Sequence, residues 1–279
     1  MAKLVKYAKK LQLMITQKQI INISRQWRID YLRDLLRQLV VRDMKLLYKR
    51  SVLGVGWTLL NPLLQLTVFV FVFRLILPAK IPQYSSFVFI GLLSWTWFQN
   101  SLVQSAVLIT SNRSLLRQPN FTISILPIVT VTTGLVHFLL ALPILLIFLA
   151  IDGVEPTLLI FVLPFIIGLQ FALIVTLAYP VAALNVNFRD TQHILNVLLQ
   201  MLFYMTPVFY DINNIPVKYH PFFYMNPMVV IIDSYRKIIM YGLQPNWQYL
   251  LGIALIIIMI LPIGYKFFYR QSIRFVEEI

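Results

Sequence analysis

Between residues 24 and 49 the apolar positions Leu32, Leu35, Leu36, Leu39 and Val40 recur at three- and four-residue steps, with Arg33, Arg37 and Arg42 on the other side. That period predicts an amphipathic helix lying in the plane of a membrane interface, its apolar face in the acyl boundary. Past Arg50 the pattern changes to long apolar runs, at about 52–77, 86–109, 124–150, 158–184, 193–210 and 249–268. A bilayer crossing takes roughly 20 residues, so the fifth run is short and the others suffice. Pro62, Pro127, Pro143, Pro164 and Pro180 lie within or at the ends of these runs. Membrane helices tolerate proline because neighbours re-satisfy the freed backbone groups. The connection from Asp211 to Gln248 is patterned too: Asn226 suits an N-cap, Pro227 the first helical position and Gly242 a helix end. The expected fold is therefore an all-α membrane protein. Residues 1–50 form a cytoplasmic segment with the interfacial helix, and residues 51–279 form a six-helix transmembrane domain. Re-entrant helices are expected on the outer side, between the fifth and sixth spans.

Composition strengthens this picture. Hydrophobic residues make up 59% of the 279 and charged residues 12%, with a mean hydropathy of +0.78; a soluble domain is about a quarter charged. Residues 1–50 hold 13 Lys/Arg against 3 Asp, within a total net charge of +14. A basic amphipathic start ahead of apolar spans fits an anionic membrane surface rather than nucleic acid. With the N-terminus in the cytoplasm, 19 of the 24 basic residues fall on the cytoplasmic side, which places both termini there by the positive-inside rule. No cleavable signal peptide is visible in the first 50 residues. With no cysteine, disulfides, thiolate chemistry and Cys-bound zinc are excluded.

Gly54-Val55-Gly56 invites comparison with a phosphate loop. A dinucleotide loop needs a third glycine where Leu59 stands, and a Walker loop ends in Gly-Lys-Ser/Thr, which is absent here. The glycines read instead as small residues that let another helix approach, with Trp57 as an interfacial ring. No ATP site is expected in this chain. Ion carriers keep Asp, Glu or His within their spans; here no acid lies in an apolar middle, and His137, read as a helix–helix hydrogen-bonder, is the one embedded titrating group. The loops offer no carboxylate cluster or metal set for a transferase. The chain reads as a transport subunit, not an enzyme, with no cofactor of its own and a partner that drives it.

Three runs carry uncharged polar stripes. Thr58, Asn61 and Gln65 lie on the first; Thr96, Asn100 and Gln104 on the second; Gln192, Asn196, Gln200 and Tyr204 on the fifth. Each repeats at three or four residues and so shares a helix face. Such amides either glue helices together or line a path for hydroxyl-rich cargo. Trp95, Trp97 and Phe98 lie too deep for an interfacial belt, and Phe203, Tyr204, Phe209 and Tyr210 extend toward the outer end of the fifth run. These rings either pack together or offer stacking faces to a glycan.

The basic start running into "VRDMKLLYKRSVLGVGWTLLNPLLQL", the later "NVNFRDTQHILNVLLQMLFYMTPVFY" and the "YMNPM" stretch together resemble the permease subunits of type-2 ABC exporters for polysaccharides. That group exports O antigens, capsules and teichoic acids. The resemblance implies a homodimer in the cytoplasmic (inner) membrane, with two separate ATP-binding subunits that supply the ATP and magnesium chemistry. It implies a channel lined by the first, second and fifth spans, with Trp95, Trp97, Phe98, Asn100, Gln104, Asn196, Gln200, Phe203, Tyr204 and Tyr210 as candidates. It points to Asn112, Arg113, Leu115, Leu116, Arg117, Phe188, Arg189 and Asp190 for coupling to the ATPase; the three arginines serve equally as positive-inside anchors. Arg37, Arg42, Lys49 and Arg50 are candidates for steering the pyrophosphate of a lipid-linked polysaccharide, and Pro216, Asn226 and Pro227 mark the outer gate. The expected cargo is an O antigen or a teichoic-acid-like polymer. The alternative is a type-2 ABC permease for drugs or lipids, which would show a more apolar path.

Overall fold

A computed structural model describes residues 30–47, 49, 54, 56–76, 81–118, 121–188 and 190–272. Arg50, Arg189 and the side chain of Thr58 lie outside the described residues. The chain divides into two units, Met1–Leu46 and Leu47–Ile279. Helix α1 (residues 30–47) occupies the described part of the first unit. Its arginines behave as the period predicts: Arg33 and Arg37 are exposed, while Arg42 pairs with Asp43 at 2.6 Å.

The second unit is helical wherever it has described secondary structure. Helix α2 (Gly56–Val70) continues as a π-helical turn, Phe71–Ile76. Then come α3 (Tyr84–Ser111), the short α4 (Arg113–Leu116), α5 (Leu126–Ile151) and α6 (Leu163–Asn187). They are followed by α7 (Thr191–Met205), α8 (His220–Tyr224), α9 (Pro227–Ile239) and α10 (Trp247–Ser272). The segments 123–151, 158–187 and 247–272 are long and apolar enough to cross a membrane, and α2 adds a shorter apolar stretch, Leu59–Arg74.

Helix α3 is the centre of the bundle. It is buried on most of its length and packs against α5, α6 and α9. Serines make that possible: Ser86, Ser94, Ser101 and Ser105 are all buried, and small residues let membrane helices approach closely. The Ser94 and Tyr235 hydroxyls both donate to Gln170 Oε1, at 3.1 and 3.0 Å, and Gln170 Nε2 donates back to the Ser94 backbone carbonyl at 2.9 Å. This buried network ties α3, α6 and α9 with its polar atoms satisfied. The start of α3 is capped from another loop: the Asp152 carboxylate accepts from the Ser86 amide at 3.3 Å and its hydroxyl at 2.6 Å. A carboxylate there satisfies an orphan N–H and meets the positive end of the helix dipole. Where α10 meets α6, a Cβ on Gly264 would lie 3.2 Å from Pro180, so glycine is what permits the close crossing.

Two local expectations change. The fifth run was expected to reach residue 210, but α7 stops at Met205. The cause is Thr206-Pro207: a residue before proline is driven out of the helical region, and Thr206 sits at φ −94°, ψ 132°. Gly54 does not serve close helix approach. A Cβ there would meet nothing within 4 Å, and its φ of +49° is the left-handed region that glycine enters freely. The helix expected after Asn226 is present: the Asn226 side chain accepts from the Met228 amide at 3.0 Å, Pro227 opens α9, and Gly242 follows its end at φ +59°.

Candidate functional site

Asn61, Thr96, Asn100, Ser101, Gln104 and His137 line a pocket of about 320 Å³ between α2, α3 and α5. Thr96, Asn100 and Gln104 lie at four-residue steps, so one face of α3 supplies them. Asn61 reaches in from α2 beside Trp57, and His137 from α5. Gly134 shapes the back wall: a Cβ there would stand 2.5 Å from Ser101 Oγ and 2.7 Å from Trp97 Cδ1. Ser101 Oγ is buried with no hydrogen-bond partner among the described residues. Among the described residues no hydrogen bond engages the side chains of Asn61, Thr96, Asn100 or Gln104, and no Asp, Glu, Lys or Arg lines the pocket. Asn61, Asn100 and Gln104 are exposed and Thr96 is half-buried. The pocket presents an uncharged lining that both donates and accepts hydrogen bonds.

Asn61 of the first polar stripe and all three members of the second thus line one cavity, whereas Gln65 and the third stripe do not. Along α7, Gln192 and Asn196 are half-buried while Gln200 and Tyr204 are exposed. Their neighbours Ile194, Val197, Leu198 and Met201 are more than half exposed, so α7 is bare on its apolar side too.

The deep aromatics are core residues of the single chain. Trp95 is buried, donates to Gln99 Oε1 at 2.8 Å and packs against Phe98 and Phe203. Trp97 donates to the Val131 carbonyl at 3.2 Å and faces Phe138, with one edge on the pocket. Their depth reflects their place against α5 and α7.

A second ring cluster joins the far end of α2 to that of α7. Phe209 is its hub: it stacks on Phe69 at 5.0 Å and Phe73 at 5.4 Å, and meets Phe203, Tyr204 and Tyr210 at 5.9, 6.3 and 5.1 Å. Tyr210 is half-buried and donates to the Tyr204 carbonyl at 3.0 Å.

At the other end of the bundle, Arg113 and Arg117 are exposed on the short α4 while Leu116 is buried and Leu115 half-buried. Asn112 joins α4 to α3 by donating to the Leu108 carbonyl at 3.0 Å. Phe188 is 65% exposed, and Asp190 stands at the start of α7 without a side-chain cap bond. Arg37 and Lys49 are exposed. Pro216 is exposed, and Asn226, besides capping α9, donates to Thr206 Oγ1 at 2.9 Å.

Sequence reasoning missed Ser101 and the burial of Arg236. Their helical spacing from Trp97 and Asp233 carries no sign of what they face. Arg236 is buried, with three backbone carbonyls around its guanidinium.

Residues 34–240 match the family described as "ABC-2 type transporter". The chain is 35% identical over 249 residues to the O-antigen export system permease protein RfbA of Myxococcus xanthus, covering 88% of this chain and 96% of that one. Two proteins of the same name from Klebsiella pneumoniae are 30% and 29% identical over 257 residues, covering 92% of this chain and 99% of theirs. The helical order, the apolar spans and this end-to-end similarity lead to one assignment: the chain is an integral membrane protein that belongs to the ABC-2 type transporter family.

Proposed function

We propose that two copies of this chain form the membrane channel of an ATP-driven exporter for a lipid-linked polysaccharide of the O-antigen type. The observation that carries the reading is the end-to-end similarity to three relatives named as O-antigen export permeases. The uncharged amide pocket supports it, because hydroxyl-rich sugar units are the neutral donors and acceptors that such a lining suits. A path for drugs or lipids would be more apolar.

In this reading α2, α3, α5, α6, α7 and α10 cross the cytoplasmic membrane, α8 and α9 stand on the outer side, and both termini are cytoplasmic. The distribution of 19 of 24 basic residues supports that orientation. The bare face of α7 suits a second copy across a shared channel, into which Asn196, Gln200 and Tyr204 would face. The exposed Arg113 and Arg117 at the two ends of α4, with Phe188 and Asp190, suit docking of the ATP-hydrolysing partners, whose closure shifts the adjoining ends of α3, α6 and α7. Arg37 and Lys49 suit the pyrophosphate of the lipid carrier as a first point of attraction.

Co-purification tests the reading. The chain is tagged, the membrane gently solubilised, and the captured material identified by mass spectrometry. The expected result is an ATPase subunit with Walker motifs at equal stoichiometry, accompanied by glycolipid. A chain that purifies alone and is stable alone overturns it.

A further inference from the structure

Arg236 is the most heavily bonded side chain at the Tyr84 end of the bundle. It lies on α9 and is buried. Its Nε and Nη2 donate to the Phe87 carbonyl at 3.2 and 3.1 Å, Nη1 donates to the Pro207 carbonyl at 2.6 Å, and Nη2 also donates to the Val208 carbonyl at 2.6 Å. The guanidinium carbon sits 3.4 Å from the centroid of the Phe87 ring. Among the described residues no carboxylate forms an ion pair with it; the nearby Asp233 pairs with Lys237 at 2.9 Å. Room for the guanidinium comes from Gly91, where a Cβ would stand 2.8 Å from Arg236 Nη2 and 2.8 Å from the Val208 oxygen.

Two of those carbonyls belong to the turn 206–209 that ends α7. The Tyr84 hydroxyl holds the next carbonyl, that of Phe209, at 3.0 Å. Phe209 is the hub of the rings that join α2 to α7. The α2 side of that joint is Phe69 on α2 and Phe73 in the π-helical turn Phe71–Ile76, a geometry frequent at functional sites. Beside Arg236 lies a cavity of about 330 Å³ lined by Asp211, Asn213, Val229, Asp233 and Lys237. The turn thus has open space next to it and is held in place by a buried polar pin.

We propose that Arg236 is the positioning residue of the outer end: it holds the turn 206–209 so that Phe209 closes the seam between α2 and α7, and the seam opens when the turn leaves Arg236. Arginine is required because its planar fork addresses several carbonyls at once, whereas a lysine ammonium is a point charge on a flexible stem. The naming of this end as outer rests on the orientation proposed above.

The absence of cysteine provides the test. Val208→Cys places a unique thiol at a fully buried site, and the Val208 contact to Arg236 is a backbone one that survives the change. Membrane vesicles holding the chain with its partner ATPase are treated from the outer side with a charged, membrane-impermeant methanethiosulfonate reagent. Labelling is expected to be slow without ATP and faster with it. Arg236→Lys is expected to raise the rate without ATP about tenfold, the factor for losing one hydrogen bond to a charged group. Tyr84→Phe should raise it less, and Lys237→Met should leave it unchanged. An arginine with only a folding role would lower the amount of inserted protein and leave the labelling rate of the remainder unchanged; that result overturns the proposal. So does a rate in the Val208→Cys background that ignores ATP. Should Arg236→Lys fail to insert, Tyr84→Phe decides, and an unchanged rate overturns the proposal. Labelling only from the face that carries residues 1–50 overturns the orientation itself.

Discussion

At the scale of single residues, glycines and serines decide how closely these helices approach. Gly134 is the sharpest case, because the space its Cβ would occupy is filled by Ser101 Oγ and the Trp97 ring. The Trp97 ring cannot yield easily, because the indole is buried and held by its bond to the Val131 carbonyl. Overpacking a filled site of this kind costs about 1–3 kcal/mol. Gly134→Ala is therefore expected to lower the thermal midpoint of the detergent-purified protein. Gly168→Ala, where a Cβ meets nothing within 4 Å, should not lower it, since alanine favours the helix. Equal midpoints for the two variants would show that α3 and α5 do not close on Gly134.

At the scale of elements, the helix starts and stops follow local chemistry. Asn226 both caps α9 and bonds Thr206 at the end of α7, so one side chain joins two elements. Losing a cap costs about 1 kcal/mol, and losing the Thr206 bond adds to it. Asn226→Ala should therefore destabilise more than Asn226→Asp, which keeps the cap but cannot donate to Thr206 Oγ1. Thermal unfolding of the two purified variants in detergent checks that order. These features explain what was legible in the sequence. The period of 24–49, the apolar runs and the Asn226-Pro227 start are local patterns, and among the described residues the structure shows helix in each. The end of α7 was local too, written in Thr206-Pro207, but the apolar character of Pro207, Val208 and Phe209 hid it. The partners of Trp97, Ser101, His137 and Arg236 were not legible. A helical wheel shows which residues share a face, and only the packing of α3 against α5, α7 and α9 shows what that face meets.

At the scale of the whole molecule, the question is whether the amides of α2 and α3 hold helices together or serve cargo. The two roles make opposite demands on stability. An interhelical amide that is bonded contributes, and its replacement by an apolar side chain leaves a partner unsatisfied at a cost of about 1–3 kcal/mol. The side chains of Asn100 and Gln104 have no hydrogen-bond partner among the described residues and open into a cavity, so there is no partner to orphan. The double variant Asn100→Leu with Gln104→Leu should keep or raise the thermal midpoint, since in the proposed orientation it removes unpaired polar groups from a pocket between membrane helices. Export should nevertheless fall, because the lining no longer exchanges hydrogen bonds with a hydroxyl-rich chain. Sites that trade stability for activity behave in this way. The measurement pairs the melting curve of the purified complex with polymer appearing on the surface of cells that depend on the variant. A lower midpoint with unchanged export would assign these amides to helix packing and remove the pocket from the transport path. A steady midpoint with lost export, while the partner still hydrolyses ATP, places the defect at the cargo rather than at the drive.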